Sequence, residues 1–248
     1  MGPVDRAIVF GIASRSGNES DELARLGPGP HENVNDSAAA LAARYPEKVI
    51  GFMSVHPDDD NVMDEMERCV HDLDLRGMKL APNYQTFEPL GEPAKRVYDY
   101  AQRNGLPIVF HQGTSPMPSA PLWYAHPLVM DEIAMAFPDL IAVMAHLGHP
   151  WHADCIAVIR KHANVYADVS AQFYRPWSMY QGFRLAWEWS VFEKLLYASD
   201  WPVTDPDEAI AGLRNFNRFA KEHHLPEVPD EALEGIVQRD SLKLLGLT

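Results

Sequence analysis

Cysteine is nearly absent. Two residues of 248, Cys69 and Cys155, are too few for a disulfide framework, and both fall in segments with helical spacing. No apolar run approaches the ~18 residues of a membrane-spanning helix. The start, MGPVDRAIVF, has neither the basic flank nor the small-residue cleavage site of a secretory signal, so a cytoplasmic protein is the expectation. Positive charge is also short: 21 Lys and Arg face 35 Asp and Glu, a formal net charge of −14. That surplus repels a phosphate backbone, and no basic stripe offsets it locally. Neither nucleic acid nor an anionic membrane surface is expected as a partner. A small anionic substrate stays open, because a buried arginine or metal ion sets its local field whatever the total.

What is present is a globular composition, 46 % apolar and 23 % charged, in a chain long enough to bury a core unaided. Seven short apolar or β-branched runs recur: Ala7–Ile12, Val49–Val55, Gly77–Leu80, Pro107–His111, Leu140–His146, Val165–Val169 and Leu195–Ser199. Helical spacing fills the intervals at Asp36–Tyr45, Val62–Leu73, Glu92–Asn104, Pro127–Phe137, His152–His162 and near Gln181–Trp189, then at Asp205–Glu222 and Asp230–Leu245. Val62, Met66, Val70 and Leu73 illustrate the pattern. Asn61 is the expected N-cap of the second segment, and Asp205-Pro206 reads as an N-cap followed by Pro at N1.

Runs that are apolar on both faces and separated by helices imply a parallel α/β sheet. Their spacing of roughly 30 residues fits a single TIM-type (β/α)8 barrel over residues 1–248. A doubly wound open sheet is the alternative, but Gly11 and Gly17 do not make its Gly-rich first turn. Leu26–Pro30 and Thr114–Pro121 read as long loops after strands. Seven strands are one short of closure. The first and last runs are therefore expected to close partly onto each other or to pair with a second chain.

In such a barrel the C-terminal mouth carries the chemistry, so polar residues where apolar runs stop come first: His56, Lys79, His111, His146, Asp168 and Asp200. Imidazole and carboxylate converging there can bind a cation such as zinc, and a further imidazole can take a proton from metal-bound water. Each residue also has a structural reading. A strand-end histidine can be hydrogen-bonded scaffold, His56 before Pro57 can shape its loop, and Asp168 can cap the loop that follows it. His146-Leu-Gly-His149-Pro-Trp-His152 looks like a metal cluster. Pro150, however, reads as a helix start, which puts His149 and His152 in an N-terminal turn. His223-His224 reads as a solvated helix end. Trp123, Tyr124, Phe173, Tyr174 and Trp177 either clasp a planar ring or pack the rim, and Arg175 and Arg184 are candidate partners for a substrate carboxylate.

The stretches GMKLAPNYQTF (77–87), GLPIVFHQG (105–113), FPDLIAVMAHLGHPW (137–151), NVYADVSA (164–171) and EKLLYASDWP (193–202) together resemble the amidohydrolase-related family. These are metal-dependent TIM-barrel enzymes grouped with aminocarboxymuconate-semialdehyde decarboxylase, γ-resorcylate decarboxylase and pyrone-dicarboxylate lactonase. The likeness spans most of Asp5–Asn217. It implies one divalent metal ion, usually zinc, held by His111 and Asp200, with His146 and Asp200 handling protons. It implies Lys79 as a substrate or structural contact, a small carboxylate or carbonyl substrate, and a homodimer, while Tyr84 and Gln85 in the following loop either bind substrate as part of the pocket lining or pack. The implied activity is hydrolysis through metal-activated water, with decarboxylation of an aromatic or unsaturated acid on the same site as the alternative.

The same resemblance exposes a departure. The family's first strand ends in a His-x-His pair that supplies two more metal ligands, and this sequence contains no such pair. Its opening, VDRAIVFGIAS, is similar to the family's second strand, so the chain is expected to be truncated relative to the family. With His111 and Asp200 alone, weak zinc binding and little turnover are expected. A non-catalytic barrel remnant kept for binding or oligomerisation is then the reading from a different class.

Overall fold

Each of the seven apolar runs forms a strand in the computed structural model, which describes residues 3–16 and 33–247. The loop expected at Leu26–Pro30 lies outside the described residues. The strands are β1 (Ala7–Val9), β2 (Val49–Gly51), β3 (Met78–Leu80), β4 (Ile108–Phe110), β5 (Ala142–Met144), β6 (Val165–Asp168) and β7 (Leu195–Leu196). All pairings are parallel and follow chain order. β1 pairs with β2, and β3 to β7 form a second ladder. Hydrogen bonds from Met53 N to Gly77 O and from Lys79 N to Met53 O, at 2.8 and 2.7 Å, continue the arc from β2 to β3. Of the two outcomes expected for the first and last runs, a ladder between them is not seen: none joins β1 to β7 among the described residues.

Alternation along the strands divides the core in two. Met78, Leu80, Ile108, Phe110, Ala142, Met144, Val165 and Ala167 face the outer helices and join the main cluster. Ile50, Val109, Val143 and Leu196 point the other way, into a second cluster with Phe52. Burial on both faces is why the runs read as unbroken apolar stretches. Leu245 and Leu247, with Leu242 and Leu244 beside them, pack into that inner cluster, so the end of the described chain fills the arc from within. Lys79 is in register with Val109 and therefore shares the inner face.

The helices are α1 (Val34–Arg44), α2 (Val62–His71), α3 (Pro82–Gln85), α4 (Glu92–Arg103), α5 (Pro127–Ala136), α6 (His152–Lys161), α7 (Pro176–Glu188), α8 (Pro206–Arg214), α9 (Phe216–Glu222), α10 (Asp230–Gln238) and α11 (Ser241–Leu244). Asp205 caps α8 by accepting from Asp207 N, with Pro206 at N1, as expected. Asn61 makes no side-chain cap bond, because its backbone is outside the extended region that aims the side chain at the first turn. Three further differences concern boundaries. Asp205–Glu222 breaks at Asn215 into α8 and α9, and Asp230–Leu245 breaks at Arg239-Asp240 into α10 and α11. α7 begins at Pro176, well before Gln181, whereas α6 begins at His152 as its spacing predicts, two residues after the Pro150 that reads as a helix start. Cys69 and Cys155 are buried and free in α2 and α6. Among the described residues no helix is long and apolar enough to cross a membrane.

Candidate active site

The parallel arc delivers the polar strand ends to one place. His111 directly follows β4, Asp168 is the last residue of β6, His146 lies in the 3-10 turn Ala145–Gly148 after β5, and Asp200 follows β7. The turn at His146 is unusual. His146, Leu147 and Gly148 adopt φ of 61°, 47° and 62°, a left-handed run that is strained for the two non-glycine residues. The loop after β6 holds it there. Asp168 Oδ1 accepts from His146 N at 3.0 Å, and Gln172 Nε2 donates to His146 O at 2.7 Å.

Hydrogen-bond logic then assigns the protons. Asp168 Oδ1 accepts from the Ser170 hydroxyl and from Ser170 N. Because that hydroxyl gives its only proton to the carboxylate, it accepts at its lone pair from His146 Nδ1–H, 2.7 Å away. His146, whose titration burial pushes down to about 4 against the opposing pull of Asp168, is neutral at pH 7. Its Nε2 therefore carries a lone pair and accepts from His111 Nδ1–H at 3.3 Å. His111 is left with a basic Nε2, buried and without a hydrogen-bond partner among the described residues. Burial first, with the Lys79 ammonium adding to it, holds His111 well below the ordinary histidine range against a backbone hydrogen bond at Thr114.

Two more ionisable groups act on this line. Lys79 is 5 % exposed, and its Nζ stands 5.1 Å from the centroid of the Phe10 ring. Burial pulls its titration down to about 8 against the attraction of Asp168 and Asp200. Asp200 is pushed up to about 6, by burial first and by Asp168 second, with Lys79 opposing. The Tyr84 ring lies 4.4 Å from that of His111, and burial raises its phenol above the usual range. The mouth thus gathers a cation, two carboxylates and two neutral imidazoles in a water-poor setting, the conditions under which proton transfer is tuned.

The structure brings Lys79, Tyr84, His111, His146 and Asp200 together and places other candidates elsewhere. Gln85 is 1 % exposed. Its Oε1 accepts from Ala81 N, and its Nε2 donates to Ala13 O and Val55 O, so its amide ties three loops together. His56 shapes its loop: Nε2–H donates to Gln85 O at 2.8 Å and Nδ1 accepts from Asp58 N. His149 and His152 lie in a separate cluster around Ser178. Trp123, Tyr174 and Trp177 are exposed, with Arg175 stacked over Tyr174 and bonded to Ala171 O. Ser170 and Gln172, whose side chains bond to His146, are positions at the site that sequence reasoning misses. The only signal for them is polar side chains within four residues of a strand-end aspartate.

A divalent metal can be tested against this donor set. His111 Nε2, an orphaned buried nitrogen, suits one ligand position, and Asp200 is a second candidate. No group of three or more His, Cys, Asp or Glu side chains able to hold a metal ion exists among the described residues, and such sites take three or four protein ligands. The described residues therefore do not fit a complete metal centre.

No curated protein matches the chain at the level of sequence. Solved structures match its fold. An uncharacterised TIM-barrel protein from Bordetella bronchiseptica is 22 % identical, with a TM-score of 0.72 over 98 % of this chain and 78 % of its own. A 5-carboxyvanillate decarboxylase from Novosphingobium aromaticivorans, complexed with manganese and 4-hydroxy-3-methoxy-5-nitrobenzoic acid, is 17 % identical, with a TM-score of 0.66 over 98 % and 77 %. A 2,6-dihydroxybenzoate decarboxylase from Rhizobium is 16 % identical, with a TM-score of 0.63 over 98 % and 84 %. Residues 15–247 match the Amidohydrolase family, so this chain belongs to that family and is by membership an enzyme with a TIM-type parallel α/β fold.

Proposed function

We propose that the chain is a hydrolase of a small carboxylate or carbonyl compound, bound at the mouth formed by the ends of β3 to β7. The observation that carries this reading is the line Asp168–Ser170–His146–His111, which leaves a basic lone pair on His111 Nε2. A water molecule against that nitrogen gives up a proton as it attacks the substrate carbonyl. The imidazolium formed on His111 donates to His146 Nε2, and Asp168 at the far end of the line offsets its charge. Asp200, which keeps its proton to about pH 6, supplies the acid for the leaving group. Lys79, whose buried ammonium stands over the Phe10 ring within the field of Asp168 and Asp200, meets the substrate carboxylate or carbonyl oxygen. Tyr84 closes the wall beside His111.

Decarboxylation is the second reading. The aromatic faces of Phe10 and Tyr84 beside Lys79 and His111 suit a planar ring carrying a carboxylate, and two of the structural neighbours act on aromatic acids. One assay separates the two. The full chain is offered six-membered lactones and ortho-hydroxylated benzoates, with and without added Mn2+, and acid release and CO2 release are followed. Slow lactone hydrolysis is expected, reduced at least about a hundredfold in His111→Ala, with Lys79→Met raising KM more than it lowers kcat. CO2 release without hydrolysis selects the second reading. Turnover of neither class, or full activity in His111→Ala, overturns the proposal.

A further inference from the structure

Away from the inner face, the turn after β5 and the start of α7 build a second constellation. Ser178 Oγ lies 3.0 Å from His152 Nε2 and 2.9 Å from His149 Nδ1. His152 Nδ1 lies 3.0 Å from Leu147 O, and a carbonyl can only accept, so Nδ1 carries the proton and Nε2 the lone pair. Ser178 therefore donates its hydroxyl proton to His152 Nε2. With that proton committed, the contact to His149 runs the other way, and His149 Nδ1–H donates to Ser178 Oγ. The result is a hydroxyl, a base hydrogen-bonded to it, a backbone acceptor fixing the base's tautomer, and a second imidazole that holds the hydroxyl oxygen in place.

Local sequence supports the placement. Ser178 sits in the first turn of the 13-residue α7, where the helix dipole favours an anionic oxygen. One turn on is Gly182, where a Cβ would come within 3.1 Å of the His152 ring and 3.0 Å of Leu147, so the glycine makes room for the imidazole. His152 is 6 % exposed, whereas Ser178 is half-buried and reachable. The exposed ring of Trp177 adjoins it.

The geometry points to Ser178 as a nucleophile with His152 as its base, forming an acylation site for small activated esters that is separate from the barrel mouth. In the first step Oγ bonds to the ester carbonyl carbon while its proton moves to His152 Nε2. The tetrahedral intermediate then expels the alcohol, which takes that proton. Water hydrolyses the acyl-serine with His152 again as base, returning carboxylic acid and free serine.

An alkyl fluorophosphonate tests this on the intact chain, because Oγ–P bond formation with loss of fluoride leaves a stable adduct. One adduct per chain, mapped to Ser178, is expected. It is absent in Ser178→Ala and forms about a hundredfold more slowly in His152→Gln, with far-UV circular dichroism confirming that both variants fold. The wild-type pH profile gives a readout independent of any variant. Burial holds His152 below its ordinary value of 6.5, so labelling levels off above that midpoint, with His149 and Arg175 the other charged or titratable groups close by. No adduct, an adduct on another residue, equal rates in His152→Gln, or a rate still rising in proportion to hydroxide at high pH overturns the assignment.

Discussion

His111 Nδ1 faces His146 Nε2 at 3.3 Å, a contact that leaves His111 Nε2 as the one ring nitrogen of the pair without a partner among the described residues. The contact is productive only while His146 keeps its proton on Nδ1, and the Ser170 hydroxyl is what holds it there. Ser170→Ala removes that acceptor and leaves both tautomers of His146 open. A fall in kcat of about 10- to 100-fold with little change in KM is expected, the size seen when an orienting partner of a functional histidine is lost. Asp168→Ala goes further, because Asp168 Oδ1 also accepts from His146 N and Ser170 N. It should cost stability as well, about 1–3 kcal/mol for buried donors left unmatched. Steady-state kinetics and urea unfolding of the two variants separate these effects. Unchanged kcat in Ser170→Ala would remove the tautomer argument.

A carboxylate far from the mouth controls the acid end of the stability curve. Glu65 accepts from Arg68 at 2.7 and 2.8 Å and from Asn35 at 2.7 Å, and Arg68 first, with Asn35, draws its titration from 4.5 down to about 2 against burial. Asn35 in turn bonds both backbone groups of Ser54, so Glu65 buttresses α1 against the chain just beyond β2. Because the folded value is depressed, this contribution is complete above about 4.5 and disappears as pH falls toward about 2. Glu65→Gln should therefore lower Tm at pH 7 and converge on the wild type only as pH approaches about 2. Parallel Tm curves for the two proteins across that interval would contradict the linkage.

How much of this the chain discloses in advance depends on which physical signal carries it. Strands such as Ile108–Phe110 and Ala142–Met144 are buried on both faces, so an uninterrupted apolar run marks them. His111, His146 and Asp200 are legible because the parallel topology puts the ends of such runs at one mouth. The break between α10 and α11 is not legible: Leu242, Leu244, Leu245 and Leu247 keep an apolar rhythm while leaving the outer layer for the inner cluster. Gln85 looks like a pocket residue in a polar loop, and only tertiary structure shows its amide engaged by three backbone segments. Ser170 reaches His146 across 24 positions, a separation that no local pattern encodes.

Metal binding follows from the donor count. His111 Nε2 and Asp200 offer two positions where three or four are usual, and no larger group exists among the described residues. After dialysis against Mn2+ or Zn2+ and gel filtration, the metal-to-protein ratio should fall well below one, and His111→Ala should abolish what remains. Thermal shift then rises only at high free metal, since stabilisation by a ligand grows with its concentration relative to Kd. A ratio of one that survives gel filtration would mean that a further ligand lies outside the described residues.

The left-handed turn that carries His146 ends at Gly148, and this glycine is constrained twice. Its φ is +62°, and a Cβ there would come within 2.7 Å of Pro127 Cγ and 2.9 Å of Cys155 Cβ. Both neighbours are buried, Pro127 at the start of α5 and Cys155 within α6, so neither can move without repacking the helices. Gly148→Ala combines the backbone cost of a left-handed alanine, about 1–2 kcal/mol, with an overpacking cost of about 1–3 kcal/mol. Relief comes most easily by shifting Leu147 and His146, which lengthens the 3.3 Å contact to His111, so kcat should fall together with stability. Gly235 is the control. It lies inside α10 with nothing within 4 Å of a built Cβ, and Gly235→Ala should stabilise the chain by about 0.5–1 kcal/mol with kcat unchanged. Urea unfolding and kinetics on the pair decide the point, because two glycine-to-alanine changes that behave alike would show that neither the left-handed backbone nor the contact with Cys155 sets the position of His146.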